Sequence, residues 1–249
     1  MSETLLTKLE AGVLTLTFNR PQKKNAFTGA MYDAAARVLL DANDNDDVRV
    51  IALTGAGGIF TAGNDLKDFL EHPPTGEDSP VFRFLKALAH HTRPLLAGVD
   101  GVAVGIGTTL LLHCDYVVAS ERAVFSMPFV NLGLSPEGAS SVLLPRLAGM
   151  ALASELLMFG EPFDAATALR ANIVNQVVPD SRLAEVLGQR AAQLASKPVE
   201  SLRLTKRLLR DPLRATVDEA LSREGAHFAQ RLGSAEALEA FNAFLSKKK

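Results

Sequence analysis

A strand-like run, a glycine-rich loop and a helix-like run follow one another at residues 48–70, and this pattern constrains the sequence most. Apolar and β-branched residues fill 48–54, a glycine cluster occupies 55–58, and the segment Phe60–Leu66 reads Phe-Thr-Ala-Gly-Asn-Asp-Leu. We predict a strand over 48–54, then a loop whose backbone approaches a neighbouring group closely, then a helix that begins near Asp65.

The amide groups of this loop are candidates for binding an oxygen atom. N–H groups at a helix start carry partial positive charge, so those around Gly63–Asp65 can hold an anion or a developing oxyanion. Spacing alone favours a simpler interpretation, a connection within an α/β domain. A second stretch, Gly101–Gly107, again lies between a strand-like run, Leu95–Val99, and a helix-like run, Thr108–His113. Two such loops could each direct one amide at the same ligand oxygen.

The two loops resemble those of a known family. Phe-Thr-Ala-Gly-Asn-Asp-Leu together with Gly-Val-Ala-Val-Gly-Ile-Gly is similar to the crotonase superfamily, and the likeness runs from Asn19 to the C-terminal helices. It implies an α/β crotonase (ClpP/crotonase-like) fold, with a repeated β-β-α spiral core over 1–197 and a C-terminal helical trimerisation region over 198–249. It also implies a homotrimer, or a hexamer that is a dimer of trimers.

Composition and charge disfavour several classes of protein. The chain has 249 residues, 47% of them hydrophobic, which is enough to bury a substantial core. The net charge is −2 and no long basic tract is present, so we expect no nucleic-acid partner. The longest apolar stretch, Val102–Leu112, is too short to span a bilayer, so we expect no membrane partner.

Cysteine usage and the N-terminal residues bear on the compartment and on metals. The single cysteine, Cys114, rules out an internal disulfide and fits a reducing compartment. Residues 1–5 lack a basic segment followed by an apolar signal core, so we expect a cytoplasmic protein. The histidines form no ligand pattern with Cys114, and we expect no metal. Coenzyme A would enter as part of the substrate, so no separate cofactor is expected.

Hydrophobic periodicity and capping residues predict an alternation of strands and helices. The predicted strands, besides 48–54, are Val13–Phe18, Leu95–Val99, Tyr116–Ala119 and Val124–Phe125. The predicted helices begin after Thr28 and at Ser79-Pro80, and others cover Ala139–Leu147, Leu152–Phe159, Ala165–Arg170, Leu183–Leu194 and most of the chain beyond Pro198. A Pro/Gly-rich loop over 71–78 matches a mobile edge of the acyl pocket in the family.

The resemblance assigns backbone and coenzyme A roles to residues of the two loops. Asn64 and Ile106 match the positions whose backbone N–H groups form an oxyanion hole for the thioester oxygen. The segments around Lys23–Phe27 and Ala62–Lys67 match the coenzyme A site, with the alanines near the adenine and the lysines near its phosphates. The residues so assigned are Lys24, Ala26, Ala62, Asp65, Leu66 and Lys67. In many relatives a C-terminal lysine reaches a neighbour's coenzyme A, but Phe244 occupies that position here.

Glu137 is the candidate catalytic base. An acid between Pro136 and Gly138 is ordinarily an exposed first-turn residue that offsets a helix dipole. However, Leu-Ser-Pro-Glu-Gly-Ala-Ser-Ser resembles the segment that carries the single catalytic glutamate of peroxisomal-type Δ3,Δ2-enoyl-CoA isomerases. Hydratases of the family use two glutamates, and Thr109 and Phe129 stand at the matching positions. Neither side chain ionises to act as a base near neutral pH.

One carboxylate suffices for a 1,3-proton shift, whereas hydration divides its proton transfers between two. The sequence therefore predicts an isomerase that converts a 3-enoyl-CoA to a 2-enoyl-CoA through Glu137. We expect Met127, Phe129 and Leu134 to form an acyl pocket that excludes water and raises the pKa of Glu137. Enoyl-CoA hydratase, or another enzyme that enolises an acyl-CoA, is the first alternative. A non-catalytic relative that binds coenzyme A or RNA is the second.

Overall fold

The computed structural model describes residues 3–74 and 76–246, with the side chains of residues 244 and 245 outside that description. Within those ranges, nine strands form two sheets. In chain order they are β1 (Leu5–Glu10), β2 (Val13–Phe18), β3 (Val50–Gly55), β4 (Leu95–Val99), β5 (Val102–Val104), β6 (Tyr116–Ser120), β7 (Val124–Ser126), β8 (Phe163–Asp164) and β9 (Gln176–Val178). The five predicted strands are confirmed, with ends within two residues. Strands β1, β5, β8 and β9 were not predicted.

The helices follow the predicted pattern closely. In chain order they are α1 (Gly29–Asp44), α2 (Leu66–Glu71), α3 (Pro80–Ala89), α4 (Ile106–Thr109), α5 (Ser140–Ala148), α6 (Met150–Phe159), α7 (Ala165–Arg170), α8 (Leu183–Ala195), α9 (Val199–Arg210), α10 (Arg214–Leu232) and α11 (Ala235–Ser246). Side chains of Thr28, Asp65 and Ser79 accept N-cap hydrogen bonds from backbone amides of α1, α2 and α3. The predicted helical run 108–113 divides into α4 and a 3₁₀ turn, Leu110–His113.

The larger sheet has the strand order β1-β2-β3-β4-β6-β9, and its pairs are parallel except for β1 with β2. Its central strands are covered on both faces. Ile51 and Leu53 pack into the main core, whereas Val50 packs on the other face against Leu187 and Ala191 of α8. Double coverage explains why the β3 sequence is continuously apolar rather than alternating. The edge strand β1 exposes most of its side chains, which removes the signal that would have predicted it.

The smaller sheet, β5-β7-β8, generates the repeated unit of the fold. The chain leaves the larger sheet after β4, enters the smaller one as β5 and continues into α4, and it repeats this path through β6, β7 and α5. The β5–β7 pair is parallel, as are the β4–β6 partners in the larger sheet. The predicted repeated β-β-α core of an α/β crotonase fold, followed by long C-terminal helices, is confirmed.

The C-terminal helices pack against the core of their own chain. Phe228 of α10 and Phe241 of α11 are buried in the same cluster as the core residues of the sheets. These two aromatic residues therefore contribute to the core of their own chain and not to its exposed apolar surface. Leu208 and Leu209 of α9 do remain exposed, at 66% and 72%. None of the described helices is long and apolar enough to cross a membrane.

Backbone hydrogen bonds join the two glycine-rich loops. Thr61 N donates to Val102 O at 2.9 Å, and Val104 N donates to Thr61 O at 3.0 Å. Gly63 has φ 83°, and a Cβ atom at this position would lie 2.6 Å from Val104 O. Only glycine fits both the left-handed backbone and this close approach. The loops therefore lie side by side, as the sequence predicted for two segments that serve one site.

Gly63→Ala should destabilise the protein by roughly 1–3 kcal/mol, because the new methyl group strains the backbone and pushes against Val104 O. Gly188→Ala is the matched control. It lies within α8, where a Cβ meets nothing within 4 Å, and should stabilise by about 0.5–1 kcal/mol. Urea unfolding of both variants measures the difference. A Gly63→Ala protein as stable as wild type would contradict the close approach of the loops.

Candidate active site

Glu137 lies between the 3₁₀ turn Val130–Leu132 and helix α5, and its side chain is buried. Only 8% of the residue is exposed, so the interpretation of Glu137 as a solvated first-turn residue is wrong. Thr109 Oγ1 donates a hydrogen bond to Glu137 Oε1 at 2.5 Å. Within the described residues, Oε2 has no hydrogen-bond partner although it too is buried. The protein thus holds one carboxyl oxygen and leaves the other available to a ligand.

The surroundings of Glu137 make it a proton-exchanging group near neutral pH. Burial raises the pKa of Glu137 to about 7; the Thr109 hydrogen bond opposes this rise and the negative charge of Glu224 adds to it. Burial also raises the pKa of Tyr32 well above its ordinary value, and the Glu137 charge contributes. A carboxyl group whose pKa is close to the ambient pH both takes up and returns a proton readily.

The backbone that follows Glu137 is held by groups on other elements. Gly138 and Ala139 both have left-handed conformations, with φ 70° and 58°. His113 Nε2 lies 2.8 Å from Gly138 O. Glu224 of α10 accepts hydrogen bonds from Ala139 N at 2.7 Å and from Ser141 N at 3.0 Å. Sequence reasoning missed Glu224, because an acid in the middle of a long helix is ordinarily solvated.

Asn64 and Ile106, the residues assigned to an oxyanion hole, lie just after the point where the two loops are joined. Across the part of the chain that the structure describes, neither residue's backbone N–H makes a hydrogen bond. Tyr32 of α1 donates its hydroxyl hydrogen to Asn64 Oδ1 at 2.5 Å, a contact that no local signal in the sequence indicated. Asn64 also lines the same cavity as Glu137. Two backbone amides of the joined loops are therefore without a hydrogen bond in the described part of the chain, and one of them belongs to a residue that lines the cavity with Glu137.

The two segments assigned to coenzyme A binding lie against each other. Ala62 N donates to Lys24 O at 2.9 Å, and Phe27 N donates to Gly63 O at 2.8 Å. Ala26 is buried and Ala62 and Leu66 are half-buried, whereas Lys24 and Lys67 expose their side chains. Both lysines are therefore accessible to an anionic ligand, although Lys67 Nζ also lies 3.8 Å from Glu71 Oε1.

Asp65 braces the same region through its side chain. It caps α2, and Arg20 Nη2 donates to Asp65 Oδ2 at 3.1 Å. Partial burial favours the neutral acid, but the hydrogen bonds and charge of Arg20 and the amides of α2 hold the pKa of Asp65 below its ordinary value. Arg20 also donates to Ala26 O at 2.6 Å, so the ion pair ties the two segments together.

A cavity of about 250 Å³ lies beside Glu137 and is mainly apolar. Phe69 of α2 lines the cavity, and most of its apolar walls come from α3 and α10, two helices far apart in sequence. The residues that form these walls are Val81, Phe82, Leu85, Leu221, Phe228 and Ala229. Glu77 and Ser222 meet at its rim, where Ser222 Oγ donates to Glu77 Oε1 at 3.0 Å.

The residues chosen from the sequence as an acyl pocket occupy other positions. Met127, Phe129 and Leu134 are buried in the core but do not line this cavity. Phe129 reaches it only indirectly, through an edge contact with Phe228 at a centroid distance of 6.5 Å. That Met127, Phe129 and Leu134 contact the acyl chain therefore stays a prediction, while other residues line this cavity.

Two sheets built by β-β-α repetition and covered by long C-terminal helices are the crotonase architecture. Within that architecture, the buried acid beside an apolar cavity marks an enzyme. Residues 8–249 match the family described as Enoyl-CoA hydratase/isomerase, and the chain belongs to this family.

Individual relatives agree with this membership. The chain is 38% identical to 1,2-epoxyphenylacetyl-CoA isomerase of Escherichia coli, over all of this chain and 97% of that protein. It is 36% identical to enoyl-CoA delta isomerase 2 of Homo sapiens over 99% of this chain, which spans 64% of the length of the human protein. The solved structure of OdaA from Pseudomonas aeruginosa superposes with a TM-score of 0.95 at 44% identity, covering 98% of this chain and 99% of that one.

In residues 3–74 and 76–246, no three His, Cys, Asp or Glu side chains are grouped in a way that could hold a metal ion. His91 and His113 are both buried in the core. Burial lowers the pKa of His91 to about 3 and that of His113 to about 4. Both imidazoles are therefore neutral at physiological pH.

Glu137→Gln should make the protein more stable at pH 8 while changing its stability little at pH 4. The pKa of Glu137, about 7, exceeds its ordinary value of 4.5, so the folded protein binds more protons than the unfolded chain between these pH values. Its stability therefore falls as the pH rises through 7. Glutamine does not ionise, and the variant should gain about 1–3 kcal/mol at pH 8.

Urea unfolding at both pH values measures this difference, with exposed Glu121→Gln as the control that should change stability by less than about 0.5 kcal/mol. Equal stability of wild type and Glu137→Gln at pH 8 would show that burial does not penalise the carboxylate.

Proposed function

We propose that this enzyme shifts the double bond of a 3-enoyl-CoA to form the 2-enoyl-CoA. The observation that carries the proposal is the buried carboxyl group of Glu137 beside the cavity, with one oxygen bonded to Thr109 and the other unpartnered within the described residues. Its pKa of about 7 suits a group that must first accept a proton and then donate it.

The reaction requires one base and no water. Glu137 removes a proton from C2 of the acyl chain, and the electron pair of that C–H bond forms a dienolate with the thioester. Protonation by the same carboxyl group at C4 then leaves the double bond between C2 and C3. The proton removed equals the proton returned, and Glu137 ends ionised as it began. An apolar cavity suits this water-free proton transfer, because it excludes water from the dienolate.

The dienolate places negative charge on the thioester oxygen, which needs hydrogen-bond donors. We assign that role to the backbone N–H groups of Asn64 and Ile106, whose side chains are not required for it. The support is that both amides are unbonded within the described residues and belong to loops joined at Thr61. One donor of this kind typically contributes about 10²–10³ in rate.

Coenzyme A would lie along the two paired segments that end near Asn64. Lys24 and Lys67 are exposed and would contact its phosphates, while Ala26 and Ala62 would border the adenine. The second segment, Ala62–Lys67, ends in α2, which Asp65 caps and Leu66 begins. The side chain of Phe244, which stands where many relatives have a lysine, lies outside the described residues.

Hydration is the main alternative within the family. The positions that match the two hydratase glutamates are Thr109, which is occupied in bonding Glu137, and Phe129, which is buried beside Phe228. Neither can deprotonate a water molecule, so a one-acid proton shift fits the site better. Enolisation of a different acyl-CoA would use the same base and donors, and the 38% identity to an epoxyphenylacetyl-CoA isomerase favours this second candidate.

Purified protein should isomerise 3-hexenoyl-CoA far faster than it hydrates crotonyl-CoA, because it has one available carboxyl group. Glu137→Gln should lower the isomerase turnover number by about 10²–10⁴ while coenzyme A binding changes little. Glu121→Gln, which alters an exposed carboxylate, is the matched control and should keep wild-type turnover. Absorbance assays and product chromatography measure both reactions.

Each failure of this assay identifies a different alternative. Rapid formation of 3-hydroxyacyl-CoA would establish a hydratase, and wild-type turnover in Glu137→Gln would exclude Glu137 as the base. Turnover of neither substrate, with coenzyme A still bound, would favour another acyl group or a non-catalytic relative.

We also propose that the chain assembles as a trimer or a hexamer. The support is a set of large apolar side chains, each about two-thirds exposed, on helices α6 and α9: Met150, Met158, Phe159, Leu208 and Leu209. Covering such residues with neighbouring chains removes apolar surface from water.

Light scattering should therefore give three or six times the mass of one chain. Leu209→Lys should weaken this assembly, because it places a charge in the proposed contact. Leu40→Lys alters an exposed leucine on α1 and should leave the assembly intact. A stable wild-type monomer at micromolar concentration would contradict the proposal.

A further inference from the structure

Glu224 is a second buried acid, and its bonding differs from that of Glu137. It lies in the middle of α10 and is 6% exposed. Its Oε2 accepts from Ala139 N at 2.7 Å, and its Oε1 accepts from Ser141 N at 3.0 Å and from Ser141 Oγ at 2.5 Å. Both oxygens therefore bind the chain segment immediately after Glu137.

That segment needs an external acceptor. Ala139 occupies the N-cap position of α5 and offers no side-chain cap, so the first amides of the helix require a partner elsewhere. Ala139 also holds a left-handed conformation, φ 58°, which an alanine adopts only where its surroundings impose it. The carboxylate of Glu224 supplies the missing acceptor and holds this backbone conformation, two residues after the proposed base.

We propose that Glu224 is a positioning residue, whose carboxylate holds the 139–141 backbone so that Glu137 keeps its oxygen in place at the cavity. This inference rests on the proposed role of Glu137 as a base. Glu224 does not itself reach the reacting carbon atoms, because its oxygens are occupied by Ala139 and Ser141.

The groups that surround Glu137 come from several elements, and together they set its proton affinity. Tyr32 faces it from α1, Thr109 bonds it from α4, and Leu85 of α3 presents only an apolar side chain to the same cavity. His113 bonds Gly138 O and is neutral at physiological pH. Glu224 of α10 is the acid whose charge raises the pKa of Glu137. Burial raises the pKa of Glu224 itself, while its bonds to Ser141 and Ala139 oppose that rise.

Glu224→Gln tests the inference. Glutamine replaces one carboxylate oxygen with an NH₂ group, which cannot accept a hydrogen bond, so the two backbone N–H groups no longer each have an oxygen of their own. The turnover number on 3-hexenoyl-CoA should fall roughly 10- to 10²-fold, as expected when a reacting group is displaced, while KM changes less than about threefold. The acid limb of the pH–rate profile should move to lower pH, since a negative charge beside Glu137 is lost. Glu219→Gln removes an exposed charge from the same helix and should change neither quantity.

A direct titration separates positioning from activity. Carbon-13 NMR of glutamate carboxyl groups identifies Glu137 by the signal that disappears in Glu137→Gln, and this signal should titrate at lower pH in Glu224→Gln. A folded Glu224→Gln protein with wild-type turnover and an unchanged Glu137 titration would overturn the inference. A shifted titration in a protein that isomerises no 3-enoyl-CoA would support the influence of Glu224 on Glu137 while rejecting the proposed reaction.

Ser141→Ala provides a milder variant in case Glu224→Gln does not fold. It removes one of the three bonds to Glu224 and leaves both backbone amides paired. Its turnover number should fall a few-fold at unchanged KM, with circular dichroism like that of wild type. Wild-type turnover in Ser141→Ala, combined with a Glu224→Gln protein that cannot fold, would assign Glu224 a purely structural role and overturn the inference.

Discussion

Thr61 joins three segments of the chain on which the site depends. Its amide and carbonyl bond the second glycine loop, at Val102 and Val104, and its hydroxyl donates to Asn25 O at 2.8 Å. Gly63 and Gly107 permit this arrangement, because a Cβ atom at either position would lie 2.6 Å from the opposite loop. The paired segments assigned to coenzyme A, and the unbonded amides of the two loops, follow from this one set of contacts.

The second constraint is the burial of acids in an apolar interior. A buried carboxylate without full hydrogen bonding is costly, and Glu137 accepts only one bond within the described residues. The cost appears as its pKa of about 7, which is the property that the proposed role as a base requires near neutral pH. Glu224 is equally buried, yet three hydrogen bonds occupy it. Similar burial thus accompanies one acid with an unpartnered oxygen and one whose oxygens are both bonded to backbone.

Much of the fold was predictable because its signals are local. Apolar runs predicted β2, β3, β4 and β6, and capping residues located the starts of α1, α2 and α3. The short strands β5, β8 and β9 escaped prediction, because two or three residues carry little periodic signal, and β1 escaped because it buries little of its surface. The local pattern around Glu137 is that of an exposed first-turn residue, yet the residue is buried. Its burial depends on the helices α3 and α10, which the local pattern does not contain.

The sequence by itself therefore determined the two glycine loops, the single candidate acid and the family resemblance, all of which depend on residues adjacent in the chain. Tertiary structure decided that Tyr32 bonds Asn64, that Thr109 bonds Glu137 and that Phe82 and Phe228 form the cavity wall. It also brought Glu224 to the backbone after Glu137. These contacts join residues whose local patterns are those of ordinary helices, and only the packing of distant helices on one another gives them a role.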